Sequence, residues 1–171
     1  SLAERCAMEG MKVVLADIEE LFLRKANRKM KKLGADFLIV KTDVSKLSDI
    51  QVLANKTMDK YGAVHLLFNN AGVSNPKFFW KYTINDWKWQ IDVNLWGVIH
   101  GLHVFMPIMR KQDTECHIIN TASMEGLLSG SGPGGAIYGL TKHAIVSLSE
   151  SMRNELTQTK SKIKVSVLCP G

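Results

Sequence analysis

Short apolar runs alternate with longer amphipathic stretches along the whole chain, and this alternation limits the possible folds more than any other feature of the sequence. Runs rich in β-branched residues predict strands over residues 12–16, 37–41, 64–68, 117–121 and 164–168. The stretches around them predict helices over residues 2–9, 19–33, 47–61, 84–110 and 136–160. Strands that are apolar on both faces need helices on both sides. The sequence therefore predicts an α/β fold, with one doubly wound parallel sheet in three αβα layers.

Capping residues set the expected ends of these helices. Ser45 and Thr83 are candidate N-caps, and Gly10, Gly34 and Gly62 close the first three helices. Residues 129–135 are rich in Gly and Ser and predict a loop before the last helix, which is either a plain connector or part of a substrate site.

Composition indicates one domain over residues 1–171, because a chain with 46% apolar residues has enough material for a single core. The three cysteines have no C-x-x-C spacing and lie in apolar stretches, which favours a reducing, cytoplasmic setting. No run of roughly 18 apolar residues and no basic leader are present in the sequence, so no membrane partner is expected.

The positive charge of the sequence is concentrated in one segment. Much of the net charge of +6 comes from residues 24–32, which are better explained as a solvated helix face than as a phosphate-attracting patch. With no nucleic-acid motif nearby, no nucleic-acid partner is expected. His100 and His103 have a spacing that can serve a metal, but the sequence offers no obvious third ligand, so no metal is expected.

Tyr138 and Lys142 are the strongest catalytic candidates. They lie four residues apart in a predicted helix, so their side chains share a face. A neighbouring cation favours the phenolate form of a tyrosine, which is the form that can accept a proton at neutral pH. The pair alone is weak evidence, because the same spacing occurs by chance on many helices.

Other polar and small residues follow the predicted strands, at the edge where parallel sheets bind their ligands. Ser123 follows the strand 117–121 and can hold a substrate oxygen or cap a turn. The run Asn69-Asn70-Ala71-Gly72 allows close backbone approach to a ligand or forms a tight turn. Asp17 ends the first strand, where a carboxylate can bind adenosine ribose hydroxyls and repel a 2′-phosphate, or can cap a helix. Asp17 favours NAD over NADP.

Together these motifs resemble the short-chain dehydrogenases/reductases, in order and in spacing, over essentially the whole chain. The motifs that carry the resemblance are Asn69-Asn70-Ala71-Gly72, Asn94-Leu95-Trp96-Gly97, Asn120-Thr121-Ala122-Ser123, Tyr138 with Lys142, and Pro170-Gly171. The resemblance implies a Rossmann-type fold and an NAD-dependent enzyme that moves a hydride between the nicotinamide and a secondary alcohol or ketone.

The resemblance also implies roles for individual residues. Tyr138 is the acid/base, Ser123 orients the carbonyl, Lys142 holds the nicotinamide ribose and tunes Tyr138, and Asn94 supports a water-mediated proton relay. The cofactor contacts that it implies are Asp17 at the ribose, Asp43 and Val44 at the adenine, Asn70, Ala71 and Gly72 along the cofactor, Tyr138 and Lys142, and Pro170 and Gly171 near the nicotinamide.

Parts of the family pattern are missing from this sequence: the first strand with its glycine-rich loop, the last strand, and most of the substrate-covering segment. The missing first strand is expected between the strands that end at Ala16 and Phe68, so residues 1–171 alone are expected to fold poorly. Substrate choice is expected to depend on the missing segment and on residues 74–82. A homodimer or homotetramer through the helices 84–110 and 136–160 is implied by resemblance.

Two other functions remain open from the sequence. The chain can belong to a catalytically idle dinucleotide-binding protein that serves as a redox sensor or interaction module, although such a protein has no need to keep both Tyr138 and Lys142. An extended-type sugar-nucleotide epimerase shares the Tyr-x-x-x-Lys pair, but the Asn69 and Asn94 motifs fit it less well.

Overall fold

The computed structural model describes residues 1–128 and 132–171, and these form five parallel strands flanked by six α-helices. The strands are β1 (Val13–Asp17), β2 (Phe37–Lys41), β3 (Leu66–Asn69), β4 (Cys116–Thr121) and β5 (Ile163–Leu168). The helices are α1 (Leu2–Met8), α2 (Glu20–Lys32), α3 (Leu47–Tyr61), α4 (Ile84–Ile91), α5 (Gly97–Gln112) and α6 (Gly135–Gln158). The predicted α/β architecture is confirmed.

The strands form two separate groups. β1 pairs with β2, with Val13 opposite Phe37. The second group has the order β3-β4-β5, with Leu66 opposite His117 and Cys116 opposite Ile163. Within the described residues β1 and β3 do not pair with each other. The division falls where the family resemblance places a further strand.

The core lies where α3, α5 and α6 pack on the three-stranded group. Phe105 and Met109 of α5, Ile118 of β4 and Ile145 of α6 are among its most buried side chains. Each comes from the apolar stripe of a helix or from an inward position of a strand. Because β4 ends and α6 begins beside the cavity described below, this core supports the site.

Two of the predicted helix boundaries need comment. Thr83 caps α4 as predicted, in a capping box with Asp86. Ser45 is not the cap of α3: that position is Lys46, and the Ser45 hydroxyl donates to the Asp43 carboxylate at 2.6 Å. The prediction was wrong because an Asx-type turn at Asp43 takes the serine that the helix would otherwise use.

β3 is shorter than the predicted strand 64–68. The side chain of Gln112, at the end of α5, accepts from the Val64 backbone N–H at 2.7 Å and donates to its carbonyl at 3.0 Å. Because these two bonds replace strand pairing at Val64, the strand begins at Leu66.

The predicted helix 84–110 is one continuous helical segment with a π-helical turn, Asp92–Trp96, between α4 and α5. By length and apolar composition this segment, Ile84–Gln112, passes the test for a membrane-spanning helix. Its stripe of buried side chains, which includes the polar Gln90 and Asn94, instead faces the protein interior. The loop predicted over residues 129–135 is described only from Gly132 onward; residues 129–131 lie outside the described part of the chain.

Candidate active site

A cavity of about 450 Å³ opens at the carboxyl ends of β3, β4 and β5, beside the first turns of α6. It is lined by Asn70, Gly72, Val73, Ser74, Thr121, Ala122, Ser123, Tyr138, Lys142, Pro170 and Gly171. The predicted catalytic residues Ser123, Tyr138 and Lys142, of which the last two are also predicted cofactor contacts, are thus brought together with four further predicted contacts: Asn70, Gly72, Pro170 and Gly171.

Tyr138 and Lys142 share the face of α6 that looks into the cavity. The Lys142 Nζ lies 5.3 Å from the centroid of the Tyr138 ring and donates to the Thr121 carbonyl at 2.8 Å. Only 3% of Lys142 is exposed, and burial lowers the pKa of its ammonium from the ordinary value. A buried lysine held by one carbonyl keeps two N–H donors for other partners.

Ser123 follows β4 in extended backbone and begins a 3₁₀ turn, Met124–Gly126. Its Oγ accepts from the Glu125 backbone N–H at 3.2 Å, so its own hydroxyl hydrogen remains free to donate. The next backbone N–H, on Met124, donates to the Pro170 carbonyl at 2.8 Å. Ser123 therefore caps a turn, one of its two predicted roles, and its hydroxyl lines the cavity.

Asn94 lies on the π-helical turn and is completely buried. Its Nδ2 donates to the Val73 carbonyl at 2.9 Å and to the Thr141 Oγ1 at 3.2 Å, and its Oδ1 accepts from the Val73 N–H at 2.7 Å. Insertion of one residue in a helix changes the direction of the side chains there. The π turn thus carries Asn94 beneath the cavity. There the Asn94 side chain holds the backbone of the residue that follows Gly72.

Gly72 leaves open space between two polar groups. A Cβ at this position would lie 3.5 Å from the Asn94 Oδ1 and 3.6 Å from the Lys142 Nζ. A flat ring and ribose can approach the backbone here, with the Lys142 donors and the Ser123 hydroxyl within the same cavity. The residues present therefore fit a nicotinamide cofactor.

A chain of buried side-chain hydrogen bonds runs beneath the cavity. Asn69 Nδ2 on β3 donates to Asn120 Oδ1 on β4 at 2.8 Å, and Asn120 Nδ2 donates to Ser149 Oγ on α6 at 3.0 Å. Above it, the Thr121 hydroxyl donates to Asn70 Oδ1 at 3.0 Å. These bonds hold in register the three elements that carry the site.

The predicted adenosine contacts lie at the same edge of the sheet but outside the cavity. Asp17 ends β1, and its Oδ1 accepts from the Glu19 N–H at 2.9 Å. The N-cap of α2 is Glu19, so the alternative of Asp17 as a helix cap is wrong, and its carboxylate caps the turn before the helix instead. The Asp43 carboxylate accepts from the Ser45 N–H and hydroxyl. Although burial acts to raise it, the hydrogen bonds from Ser45 and the ammonium of Lys46 hold the pKa of Asp43 below its ordinary value.

The two remaining predicted cofactor contacts are Val44 and Ala71. Val44 packs against Gly97, where an added Cβ would lie 2.8 Å from the Val44 Cγ2, and its carbonyl accepts from His100 Nδ1 at 3.0 Å. Ala71 is exposed between Asn70 and Gly72 and does not line the cavity.

Sequence reasoning assigned no role to three residues of the site. Thr121 holds Lys142 through its carbonyl, Thr141 accepts from Asn94, and Val73 lines the cavity and is bonded to Asn94. Thr121 had a signal in the sequence, because it is the last residue of a predicted strand. Asn94, the partner of the other two, lies far from both along the chain.

Comparisons with known proteins agree on the family. The sequence model of the short chain dehydrogenase family matches residues 1–171. The "CLA biosynthesis dehydrogenase/reductase" of Lactiplantibacillus plantarum is 34% identical over 99% of this chain and 59% of its own length. The "1-deoxy-11-beta-hydroxypentalenate dehydrogenase" of Streptomyces avermitilis is 32% identical over 100% of this chain and 63% of its own.

Solved structures give the same result. A short-chain dehydrogenase/reductase from Burkholderia phymatum in complex with NAD superimposes with a TM-score of 0.94 at 45% identity, over 98% of this chain and 59% of that one. The apo form of LigO from Sphingobium sp. strain SYK-6 gives a TM-score of 0.90 at 36% identity, over 98% and 62%. This chain spans about three fifths of the length of the relatives named here. With its Rossmann-type NAD-binding fold, the chain belongs to the short-chain dehydrogenase/reductase family.

Proposed function

We propose that the protein is an oxidoreductase that transfers a hydride between NAD(H) and a secondary alcohol or ketone, with Tyr138 as general acid/base. The observation that carries this proposal is the placement of Lys142, which is buried, held by the Thr121 carbonyl and 5.3 Å from the Tyr138 ring. A buried cation costs free energy unless it serves a partner. Its position beside the only tyrosine that lines the described cavity matches the work of an acid/base pair.

Tyr138 and Ser123 each have a role in the proposed reaction, beside the cofactor. NAD, when bound, supplies the ring carbon that accepts a hydride from the alcohol carbon, and NADH returns it to a carbonyl carbon. Tyr138, as the phenolate, takes the hydroxyl proton in oxidation; as the phenol, it gives a proton to the carbonyl oxygen in reduction. The free hydroxyl hydrogen of Ser123 donates to the same substrate oxygen and orients it.

Asn94 and Lys142 supply the route by which the proton leaves. Both amide hydrogens of Asn94 and one Oδ1 lone pair are used, which leaves one lone pair for a water. The Lys142 Nζ and this Oδ1 both approach the space over Gly72. A water placed between them would have the two or more polar partners that a buried water needs, and would pass the proton from the Tyr138 side toward solvent.

We propose NAD as the cofactor because of the carboxylate of Asp17. One oxygen of that carboxylate is used by the Glu19 N–H, and the other remains for a ribose hydroxyl. A 2′-phosphate at the same place would meet a like charge. The nearby Lys41, which pairs with Asp17 in the sheet register, gives its ammonium to Glu20 at 2.8 Å instead.

Assembly as a homodimer or homotetramer through α4, α5 and α6, in the cytoplasm, is part of the same proposal. Large apolar side chains support it: Trp89 and Trp96 on the segment Ile84–Gln112 are 45% and 47% exposed, and Leu140 on α6 is 48% exposed. Exposed aromatic residues of this kind are typical of protein interfaces. Light scattering on the purified protein measures the number of subunits.

The experiment that tests the catalytic proposal uses the protein expressed from its complete reading frame. NAD reduction is measured against a panel of aliphatic, terpenoid and steroid secondary alcohols. Tyr138→Phe should abolish turnover, by roughly a factor of 100 or more, and should retain NAD binding by calorimetry. The matched control is Tyr61→Phe, which removes a phenol on the far side of the molecule, bonded to Asp36, and should keep full turnover.

A wild-type protein that binds NAD but oxidises none of the panel alcohols and reduces none of the matching ketones would contradict the enzyme proposal. That result would favour the idle dinucleotide-binding protein. Full activity in Tyr138→Phe would instead contradict the role of Tyr138 alone.

A further inference from the structure

The segment between β3 and α4 crosses one side of the cavity. We call residues 73–83 the strap. Val73 and Ser74 at its start line the cavity. Asn94 binds both backbone groups of Val73, which fixes the start of the strap but leaves open what fixes the rest.

A single carboxylate, that of Asp86, fixes the rest of the strap. Asp86, on the first turn of α4, accepts from Asn75 Nδ2 at 2.8 Å and from Lys77 Nζ through both oxygens at 2.9 Å. The same group accepts from the N–H and the hydroxyl of Thr83, each at 2.8 Å. Tyr82 closes the strap on itself by donating to the Asn75 carbonyl at 2.8 Å. Four donor groups on three residues of the strap thus make five hydrogen bonds to Asp86.

The strap also contacts the start of the helix that carries Tyr138. The Gly134 N–H donates to the Lys77 carbonyl at 3.0 Å. Gly134 has φ +106°, and a Cβ there would lie 3.1 Å from the Cα of Pro76. Gly134 directly precedes α6, and Tyr138 lies in its first turns. Lys77 is thus bonded to α4 through its side chain and to the start of α6 through its backbone.

We propose that Asp86 is a positioning residue of the active site, whose carboxylate holds the strap against the start of α6 and so fixes the substrate wall beside Tyr138. This inference rests on the proposed function for its kinetic part only. The side chain of Asp86 is 14% exposed, which limits the screening of its bonds by water. The ammonium of Lys77 and the hydrogen bonds from Thr83 hold the pKa of Asp86 at about 2, so the clamp is charged at every physiological pH.

A simple helix cap would not need all of these bonds. The cap uses Oδ2 alone, through the N–H and hydroxyl of Thr83. Oδ1 serves Asn75 and, with Oδ2, Lys77. Lys77→Met keeps the cap and the length of the side chain but removes the ammonium, so it separates the clamp from the cap.

The experiment compares Lys77→Met, Lys77→Arg and the control Lys162→Met in the protein expressed from its complete reading frame. Lys162 also forms an ion pair, 3.0 Å from Asp113, at a distance from the cavity along the sheet. Loss of a charge-assisted hydrogen bond corresponds to roughly a 10-fold to 100-fold change. We expect Lys77→Met to raise the KM for the alcohol about 10-fold or more, with kcat less changed and the Kd for NAD within about twofold of wild type. Lys77→Arg should restore the KM, and Lys162→Met should leave it unchanged.

Hydrogen exchange gives a readout that does not depend on turnover. In Lys77→Met the amides of Val73 and Gly134 should exchange about 10-fold faster than in Lys162→Met, because the strap opens more often. Unchanged exchange at Gly134 would overturn the clamp, and faster exchange with an unchanged KM would overturn its positioning role. If the wild-type protein turns over no alcohol, the proposed function fails, and exchange at Gly134 alone decides whether the clamp exists.

Discussion

Replacement of Gly101 by alanine sets two opposite physical effects against each other. Gly101 is buried in α5, and a Cβ there would overlap the Oδ1 of Asn69 and lie 3.2 Å from its Cγ. Helix propensity alone predicts that Gly101→Ala stabilises the protein by about 1 kcal/mol. Packing predicts the reverse, because Asn69 cannot move without breaking its bond to the fully buried Asn120.

The structure decides which effect is larger. Overpacking of a core costs about 1–3 kcal/mol, and a buried Asn120 oxygen left without its donor costs about 1–3 kcal/mol. After the gain in helix propensity, Gly101→Ala should lower the free energy of unfolding by about 1–5 kcal/mol. At about 2–4 °C for each kcal/mol in a domain of this size, the melting temperature should fall by several degrees.

Urea and thermal unfolding monitored by circular dichroism measure the effect, with Gly132→Ala as control, since a Cβ at Gly132 meets no atom of the described residues within 4 Å. A second background makes the test sharper. In Asn69→Ala the obstructing side chain is gone, so adding Gly101→Ala should cost nothing or stabilise the protein by up to about 1 kcal/mol. Equal destabilisation in both backgrounds, or a raised melting temperature in the single variant, would refute the reasoning.

Three further predictions follow from the charges and the sheet. Asp17→Asn should raise the kcat/KM ratio for NADP over NAD by about 10-fold or more, because two charges about 4 Å apart at a surface interact by about 1–4 kcal/mol; an unchanged ratio would show that Asp17 does not face the ribose. Asp86 has its pKa lowered to about 2 in the folded protein, so its stabilising effect is present above the ordinary carboxyl pKa and is lost as the pH falls through about 2. The difference in unfolding free energy between wild type and Asp86→Asn should therefore be constant from pH 5 to pH 7 and shrink below pH 4, as measured by urea unfolding. Residues 1–171 expressed alone should give no cooperative melt, because β1 and β3 each present an unpaired edge; a cooperative transition with micromolar NAD binding would contradict this.

Much of the fold is predictable from the sequence because strands and helices here follow simple periodicities. All five predicted strands and all five predicted helical segments exist, and all of them except α1 bury part of an apolar run or stripe. The errors lie where a side chain competes with the backbone. The Gln112 side chain hydrogen-bonds to the backbone of Val64, and the Asp43 carboxylate accepts a hydrogen bond from the Ser45 hydroxyl. Both competitors act through geometry that a pattern of apolar residues does not record.

Some residues of the candidate site can likewise be predicted from the sequence, and others cannot. Ser123, Tyr138 and Lys142 are predictable because strand ends and i, i+4 spacing are local properties. The π-helical turn at Asn94 is not, because one extra residue in a turn hardly changes the apolar periodicity around it. The clamp at Asp86 is hidden as well: its ionic partner Lys77 lies nine residues away, before a 3₁₀ turn (Phe79–Lys81) and the start of α4.

Buried polar groups connect the fold of this protein to its site. Asn94, Asn120 and Lys142 are each almost completely buried, and each is hydrogen-bonded to a group on another element, with two Lys142 donors left over for the cavity. An unpaired buried amide or ammonium is costly, whereas a paired one is not. The pairing is possible only when β3, β4 and α6 keep one register, so any slip that disturbs the cavity also leaves these groups unpaired. The arrangement that the proposed acid/base chemistry requires is therefore also the one in which these buried groups have their hydrogen-bond partners.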